Sequence, residues 1–165
     1  MIKHDIVIIG GGPAGMAAAV AAYDNGVRDV VIIDREEKLG GILKQCIHNG
    51  FGLHKLGKEL TGPEYAAHYE KAVADRGIKV FYETMVTDIS EDRIVTAQST
   101  EGILKIEAKA VVLAMGCRER SRGALNIPGT RPAGVYSAGT AQKLINCMGY
   151  SVGKRVVILG SGDIG

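Results

Sequence analysis

Two glycine-rich loops, each following an unbroken run of aliphatic residues, constrain this 165-residue chain more than any other feature. The first is Gly10-Gly11-Gly12-Pro13-Ala14-Gly15, after Asp5-Ile6-Val7-Ile8-Ile9. The second is Gly160-Ser161-Gly162-Asp163-Ile164-Gly165, after Arg155-Val156-Val157-Ile158-Leu159. A short apolar run without polar alternation reads as a strand buried on both faces of a parallel sheet. In a unit of strand, glycine turn and helix, the first glycine permits the tight bend and the second lets backbone N–H groups approach a pyrophosphate. The third lets the helix pack closely on its strand. The anion is then held at a helix N-terminus, where unpaired N–H groups and the helix dipole favour negative charge.

A glycine turn alone also serves ordinary strand-to-helix connections, so its surroundings decide the reading. Met16 to Tyr23 is rich in alanine, which allows close packing on a sheet, and Asn25-Gly26 supplies a left-handed stop. A second buried strand, Val30 to Ile33, ends in Asp34 and its neighbour Arg35. An acid about twenty residues beyond the loop, at a strand end, is placed to accept from ribose hydroxyls. Together these features predict a βαβ dinucleotide site.

Composition fits a globular protein: 46% of residues are hydrophobic, 23% are charged, and the formal net charge is +2. No polybasic tract points to nucleic acid, no membrane span is expected, and the absence of Trp removes one stacking platform. Gly10 to Pro13 would break the helix of a secretory signal, so the default location is cytoplasmic. Cys46, Cys117 and Cys147 are odd in number and widely spaced, which suits a reducing compartment rather than a disulfide framework. Cys46 and His48 lack a second ligand pair, so no metal site is expected.

The expected organisation is a nucleotide-binding unit over 1–117, a connecting segment over 118–153, and over 154–165 the first strand and glycine loop of an incomplete second unit. The glycines of Leu39 to Gly52 argue for a loop without regular structure. Thr61-Gly62-Pro63-Glu64 has the form of a capping box with proline in the first turn, opening a helix that runs through Arg76 and stops at Gly77. Tyr65, Tyr69, Ala72 and Val73 share the face of that helix turned to the sheet. Ile78 to Tyr82 reads as a third parallel strand. Met85 to Ile89, Arg93 to Gln98 and Ile103 to Ile106 read as a meander lying on the sheet, followed by a separate buried strand over Ala110 to Ala114.

The Gly10 to Gly15 loop, the acid at Asp34, the Leu39-Gly40-Gly41 turn, the meander and Ala114-Met115-Gly116 resemble the FAD domain of flavoproteins with two dinucleotide-binding domains, the pyridine nucleotide-disulfide oxidoreductase superfamily. Arg118-Glu119-Arg120 and Ile127 to Gln142 are similar to members lacking the paired redox cysteines. These include flavoproteins associated with sarcosine oxidase, with proline and hydroxyproline dehydrogenases, and with anaerobic glycerol-3-phosphate dehydrogenases. The resemblance implies an α/β, Rossmann-like FAD-binding fold: a parallel sheet with flanking helices and a β-meander, truncated at the start of a second Rossmann unit. It implies FAD held by Gly10, Gly12, Pro13, Ala14, Gly15, Asp34, Arg35, Gly41, Val86, Ala114, Met115 and Gly116. Val86 corresponds to a backbone contact with adenine. Met115 stands where threonine is usual and Asp34 where glutamate is usual, with a shorter reach and the same acceptor chemistry. Gly160, Gly162 and Gly165 would form the second nucleotide loop, for NAD(P)H.

The implied activity is an FAD-dependent oxidoreductase passing hydride or electrons between NAD(P)H and a second acceptor, either a small molecule or a partner dehydrogenase subunit. Homo-oligomerisation is compatible, since an open sheet edge promotes pairing. The 165-residue form is expected to be inactive alone, because the resembling FAD domains are completed by a later segment. Two other readings stay open: a plain NAD-binding module, and a single-cysteine flavin peroxidase or disulfide reductase using Cys46. The sequence around Cys46 does not reproduce the motif of such enzymes, and an unpaired cysteine is more often packing material. His48 and His54 lie in the same loop with no carboxylate or nucleophile placed beside them by sequence.

Overall fold

Alternate residues of a strand point to opposite faces of its sheet, and in this protein both faces are covered. Strand β1 (Ile2–Ile9) pairs in parallel with β2 (Val30–Ile33), which pairs in parallel with β5 (Lys79–Phe81). Ile8, Val30 and Ile32 face one way and join Met16, Ala19, Leu39, Val73 and Ile78 in one core. Val7, Ile9, Val31 and Ile33 face the other way and join Val95, Ile106 and Ala108 in a second. Each of these aliphatic side chains contributes about 1.5–3 kcal/mol by leaving water. The continuous apolar runs in the sequence follow from this double coverage.

This is a computed structural model, and it describes residues 1–130, 132–160 and 162. They fall into two compact units, Met1–Gly116 and Cys117–Gly165. The first unit holds a six-stranded sheet in the order β5-β2-β1-β8-β7-β6, with β6 (Met85–Ile89), β7 (Ile94–Ser99) and β8 (Gly102–Leu113) forming the meander. On the first core lie α1 (Pro13–Asp24) and α3 (Gly62–Asp75). The architecture is α/β and Rossmann-like, with a mostly parallel sheet and flanking helices.

The structure changes three details of the sequence reading. Ile103 to Ile106 and Ala110 to Ala114 are not separate strands, because β8 runs unbroken from Gly102 to Leu113. It is antiparallel to β7 over its first half and parallel to β1 from Ile106 onward. Glu107 and Lys109, which interrupt the apolar pattern, do not break the strand. They make ion pairs with Lys3 at 2.8 Å and Asp5 at 2.6 Å on the neighbouring β1. The meander is therefore hydrogen-bonded into the sheet, while its inner residues Val86, Val95 and Ile106 cover the face where a helix would otherwise lie.

Second, Leu39 to Gly52 is not an irregular loop. A 3-10 turn spans Gly41–Gln45, β3 (Asn49–Phe51) pairs antiparallel with β4 (Leu60–Thr61), and the short α2 (Leu53–Leu56) sits between them. The glycines make the corners: Gly50 and Gly52 take φ of 120° and 86°, which L side chains rarely adopt. Third, Arg155 to Leu159 is not a strand. A strand must pair its N–H and C=O groups, and among the described residues none lies beside this segment, so Val156 to Leu159 remain exposed. The second unit instead contains a 3-10 turn over Arg122–Leu125 and α4 (Ala138–Asn146). No helix among the described residues is long and apolar enough to cross a membrane.

Candidate functional site

Three segments converge at the C-terminal ends of β1, β2 and β8: the first glycine loop, the turn after β2, and the residues closing β8. Three of the four glycines of the loop leave no room for a side chain. A Cβ on Gly10 would strike the Ala114 carbonyl, one on Gly15 would overlap the Gly10 carbonyl oxygen, and one on Gly11 would meet Leu39 and Asp34. Around Gly12 there is open space. Gly10 takes a φ of 106°, and its N–H donates to the Ile33 carbonyl at 2.9 Å, while Ala114 N–H donates to the Ile9 carbonyl at 2.8 Å. The loop is thus seated between β2 and β8.

Helix α1 begins immediately after Gly12 with Pro13 in its first turn, and neither a side-chain cap nor an acid occupies that end. Its first-turn amides at Ala14 and Gly15 and its positive dipole end therefore face the space left at Gly12. Leu39 packs over Gly11, and Gly40 N–H donates to the Gly11 carbonyl at 2.8 Å. This brings Gly41 against Gly12, where a Cβ on Gly41 would stand 3.1 Å from the Gly12 Cα. The Lys44 stem runs alongside Gly40, and its ammonium pairs with Glu70 of α3. Two backbones without side chains, one helix N-terminus and no competing acid in its first turn form a cradle suited to an extended, doubly charged diphosphate.

Asp34 lies beside this cradle, but its carboxylate turns inward. Oδ2 accepts from Gly11 N–H and Oδ1 accepts from Glu36 N–H at 2.8 Å, and the residue is only 8% exposed. Its backbone is also fixed, by Phe81 C=O at one end and Thr84 N–H at the other, both at 2.9 Å. Arg35 is exposed and faces Glu36 at 3.9 Å. Thr84, buried and donating its hydroxyl to the Tyr82 carbonyl, ties the turn after β5 to Asp34 and so brings Val86 to the same end of the sheet. Val86 belongs to β6, the terminal strand in the sheet order.

The structure therefore brings together Gly10, Gly12, Pro13, Ala14, Gly15, Asp34, Gly41 and Ala114. Met115 and Gly116 follow directly, with the Met115 side chain exposed and Gly116 at a φ of 70°. Gly11 and Leu39, marked by sequence only as parts of the loop and of the turn after β2, and Thr84, not marked by it, belong to the same assembly. A glycine at the middle of the run Gly10 to Gly12 was the available signal for Gly11, since the G-x-G-x-x-G pattern does not require glycine there. Of the second loop, Gly160 and Gly162 are described, with open space around both, and Gly165 lies outside the described residues.

Cys46 is half-buried at the start of α3, where its carbonyl accepts the Gly62 N–H at 2.9 Å and a Cβ on Gly62 would approach its own Cβ at 2.9 Å. His48 is exposed, donates from Nδ1 to the Asn49 carbonyl at 2.8 Å, and rests on the Phe51 ring. Among the described residues, no three His, Cys, Asp or Glu side chains gather as a metal site. In the second unit, Glu119 accepts from the Ser137 hydroxyl at 2.6 Å, Gly139 N–H at 2.9 Å and Thr140 N–H at 3.0 Å. These donors, the Ser137 hydroxyl foremost, hold its carboxyl below the usual glutamate range. It thereby caps α4 from a distance.

The family model described as pyridine nucleotide-disulphide oxidoreductase matches residues 4–165. An opine oxidase subunit from Agrobacterium tumefaciens is 33% identical over 98% of this chain and 33% of its own length. The alpha subunit of sarcosine oxidase from Corynebacterium sp. is 29% identical over 98% of this chain and 17% of its own length. The chain thus spans a third or less of these curated relatives. Among solved structures, L-proline dehydrogenase of P. horikoshii superposes with a TM-score of 0.69 at 23% identity, covering 93% of this chain and 30% of that one, a likeness of fold. Thioredoxin reductase of Streptococcus pyogenes gives 0.59 at 27% identity, covering 73% and 38%.

Proposed function

Because this chain belongs to the pyridine nucleotide-disulphide oxidoreductase family, we propose that its first unit holds FAD as part of an oxidoreductase. That enzyme would pass hydride or electrons between NAD(P)H and a second acceptor. The observation that carries this reading is the cradle at Gly12, where an uncapped helix N-terminus faces a strip of backbone bared by Gly12 and Gly41. The amides of Ala14 and Gly15 would hold the diphosphate, Asp34 and Arg35 would take the ribose, and the Val86 backbone would meet adenine. Ala114, Met115 and Gly116 line the opposite wall, where the riboflavin half would lie. Bound FAD supplies reversible hydride and single-electron chemistry, and the chain supplies position and charge.

Gly160 and Gly162, with Gly165, are proposed as the start of the nicotinamide-binding unit, and residues 118–153 as the connection to it. Two matched relatives are named as subunits of larger enzymes, which supports a partner protein in the role of acceptor. Cys46 acts in this reading as packing at the head of α3. Reconstitution of the purified 165-residue protein with FAD tests the flavin site, and anaerobic titration with NADH and then NADPH tests the activity in a longer form that carries a complete nicotinamide-binding unit. The expected result is a flavin absorption band retained by both and bleached by one nicotinamide in the longer form only. Protein that retains no flavin, or a longer form whose band neither reductant moves, would contradict the proposal.

A further inference from the structure

Resting on that reading, we infer that Gly62, the first residue of α3, is a positioning residue for the dinucleotide: it seats the 3-10 turn Gly41–Gln45, and the turn holds Gly41 against Gly12. Gly62 is buried and helical, so no positive φ calls for glycine there, and alanine would favour the helix more. Space is what excludes a side chain. A Cβ on Gly62 would strike the carbonyl oxygens of Leu43 and Cys46 and stand 2.9 Å from the Cys46 Cβ. Both oxygens are backbone, so no change of rotamer relieves the contact and the turn itself has to move.

That movement has a route to the cradle. Gly62 N–H donates to the Cys46 carbonyl at 2.9 Å, Cys46 N–H to that of Leu43 at 3.1 Å, Leu43 N–H to that of Gly40 at 3.2 Å, and Gly40 N–H to that of Gly11 at 2.8 Å. One unbroken series of backbone hydrogen bonds thus runs from the head of α3 to the glycine loop. Leu43 and Gln45 are buried, and Lys44 pairs with Glu70 further along the same helix. The head of α3 has little freedom to retreat, because the capping box of Thr61 and Glu64 fixes its first turn. At the far end a Cβ on Gly41 would stand 3.1 Å from the Gly12 Cα, so the turn is wedged between two close approaches. A methyl group added at Gly62 is therefore felt where the two bared backbones would face the diphosphate.

The test measures the dissociation constant of the purified protein for FAD in wild type, Gly62→Ala and Val73→Ala, at a temperature where all three are folded. Val73 is buried on the same helix and stands outside the hydrogen-bonded series. Gly62→Ala should weaken FAD about tenfold, the worth of a hydrogen bond to a charged group. Val73→Ala should lower the unfolding midpoint and leave the dissociation constant at its wild-type value. A merely structural role would treat the two variants alike, so an unchanged constant in Gly62→Ala, or an equal weakening in Val73→Ala, would overturn the inference. If Gly62→Ala does not fold, backbone hydrogen exchange of the wild type decides. The Gly62 and Cys46 amides donate to the Cys46 and Leu43 carbonyls, not to the cradle, and FAD binding should slow both. Exchange at both unchanged with FAD bound would overturn the inference. Wild-type protein that binds no FAD would remove the proposed function and this inference together, whereas FAD binding with any of the overturning outcomes removes the inference alone.

Discussion

The two glycine loops of this chain have similar sequences, and the apolar runs that lead into them differ in structure. Before the first, Val7 and Ile8 are fully buried and β1 pairs on both edges. Before the second, Val157 is 96% exposed and Arg155 to Leu159 forms no strand. Both runs have the same local preference for extended backbone, so the difference comes from partners. A strand gains its stability from cross-strand pairs and covered faces. An apolar run alone does not make a strand, and the neighbouring β2 and β8 are what hold the first one in the sheet.

The sharpest way to break this comparison is to add one methyl group to each loop. Gly15→Ala would drive a Cβ into the Gly10 carbonyl oxygen. It should cost about 3 kcal/mol or more of unfolding free energy and abolish FAD retention, as read by denaturant unfolding and by flavin absorbance after gel filtration. Gly162→Ala meets open space and should leave the unfolding midpoint in place. Equal effects at the two positions would end the contrast.

A smaller effect separates the strands themselves. Ile8→Val removes one methylene from the first core and should cost about 1 kcal/mol. Val157→Ala should stay within about 0.5 kcal/mol of wild type, as expected for a surface change. A comparable loss at Val157 would mean that its segment is packed after all.

The acid limb of stability tests how the first unit is clamped. Arg76 bonds both oxygens of Asp24 at 2.8 Å, linking the ends of α1 and α3. These hydrogen bonds, and secondarily the guanidinium charge, lower the Asp24 pKa. A lowered carboxyl pKa means that the folded state favours the ionised form. This contribution is complete above the ordinary aspartate pKa and is lost as pH falls through the folded value. Arg76→Met should therefore flatten the fall in thermal midpoint on acidification, and an unchanged acid limb would show that the pair is inert.

The smallest effect is local. In Glu119→Gln, one carbonyl oxygen replaces a carboxylate that serves Ser137, Gly139 and Thr140. The Gly139 and Thr140 amides should exchange with deuterium faster. Unchanged exchange would show that α4 does not need this cap.

Much of the first unit was legible because its signals are local. The apolar runs located β1 and β2, and the capping box located α3 to the residue: Thr61 Oγ1 accepts from Glu64 N–H while the Glu64 carboxylate accepts from Thr61 N–H. Its buried face is set by Gly62, Ala66 and Val73, with Tyr65, Tyr69 and Ala72 half-buried beside them. β3 and β4 were not legible, because strands of three and two residues show no period and their glycine corners look like loop. Helix α4 was missed because its cap comes from Glu119, far upstream of Ser137. That the glycine loop, the end of β2 and the end of β8 meet at one edge of the sheet was legible, but the inward turn of the Asp34 carboxylate was not. A sequence places an acid at a strand end, and only the packed positions of Gly11, Glu36 and Thr84 decide which way it points.

Backbone hydrogen exchange of the purified protein with and without FAD tests the central claim most directly. Slowed exchange at the amides of Gly12, Ala14 and Gly15, accompanied by the turn at Gly40 and Gly41, is the result expected if this cradle holds the diphosphate. FAD bound with those amides exchanging as in the free protein would contradict it.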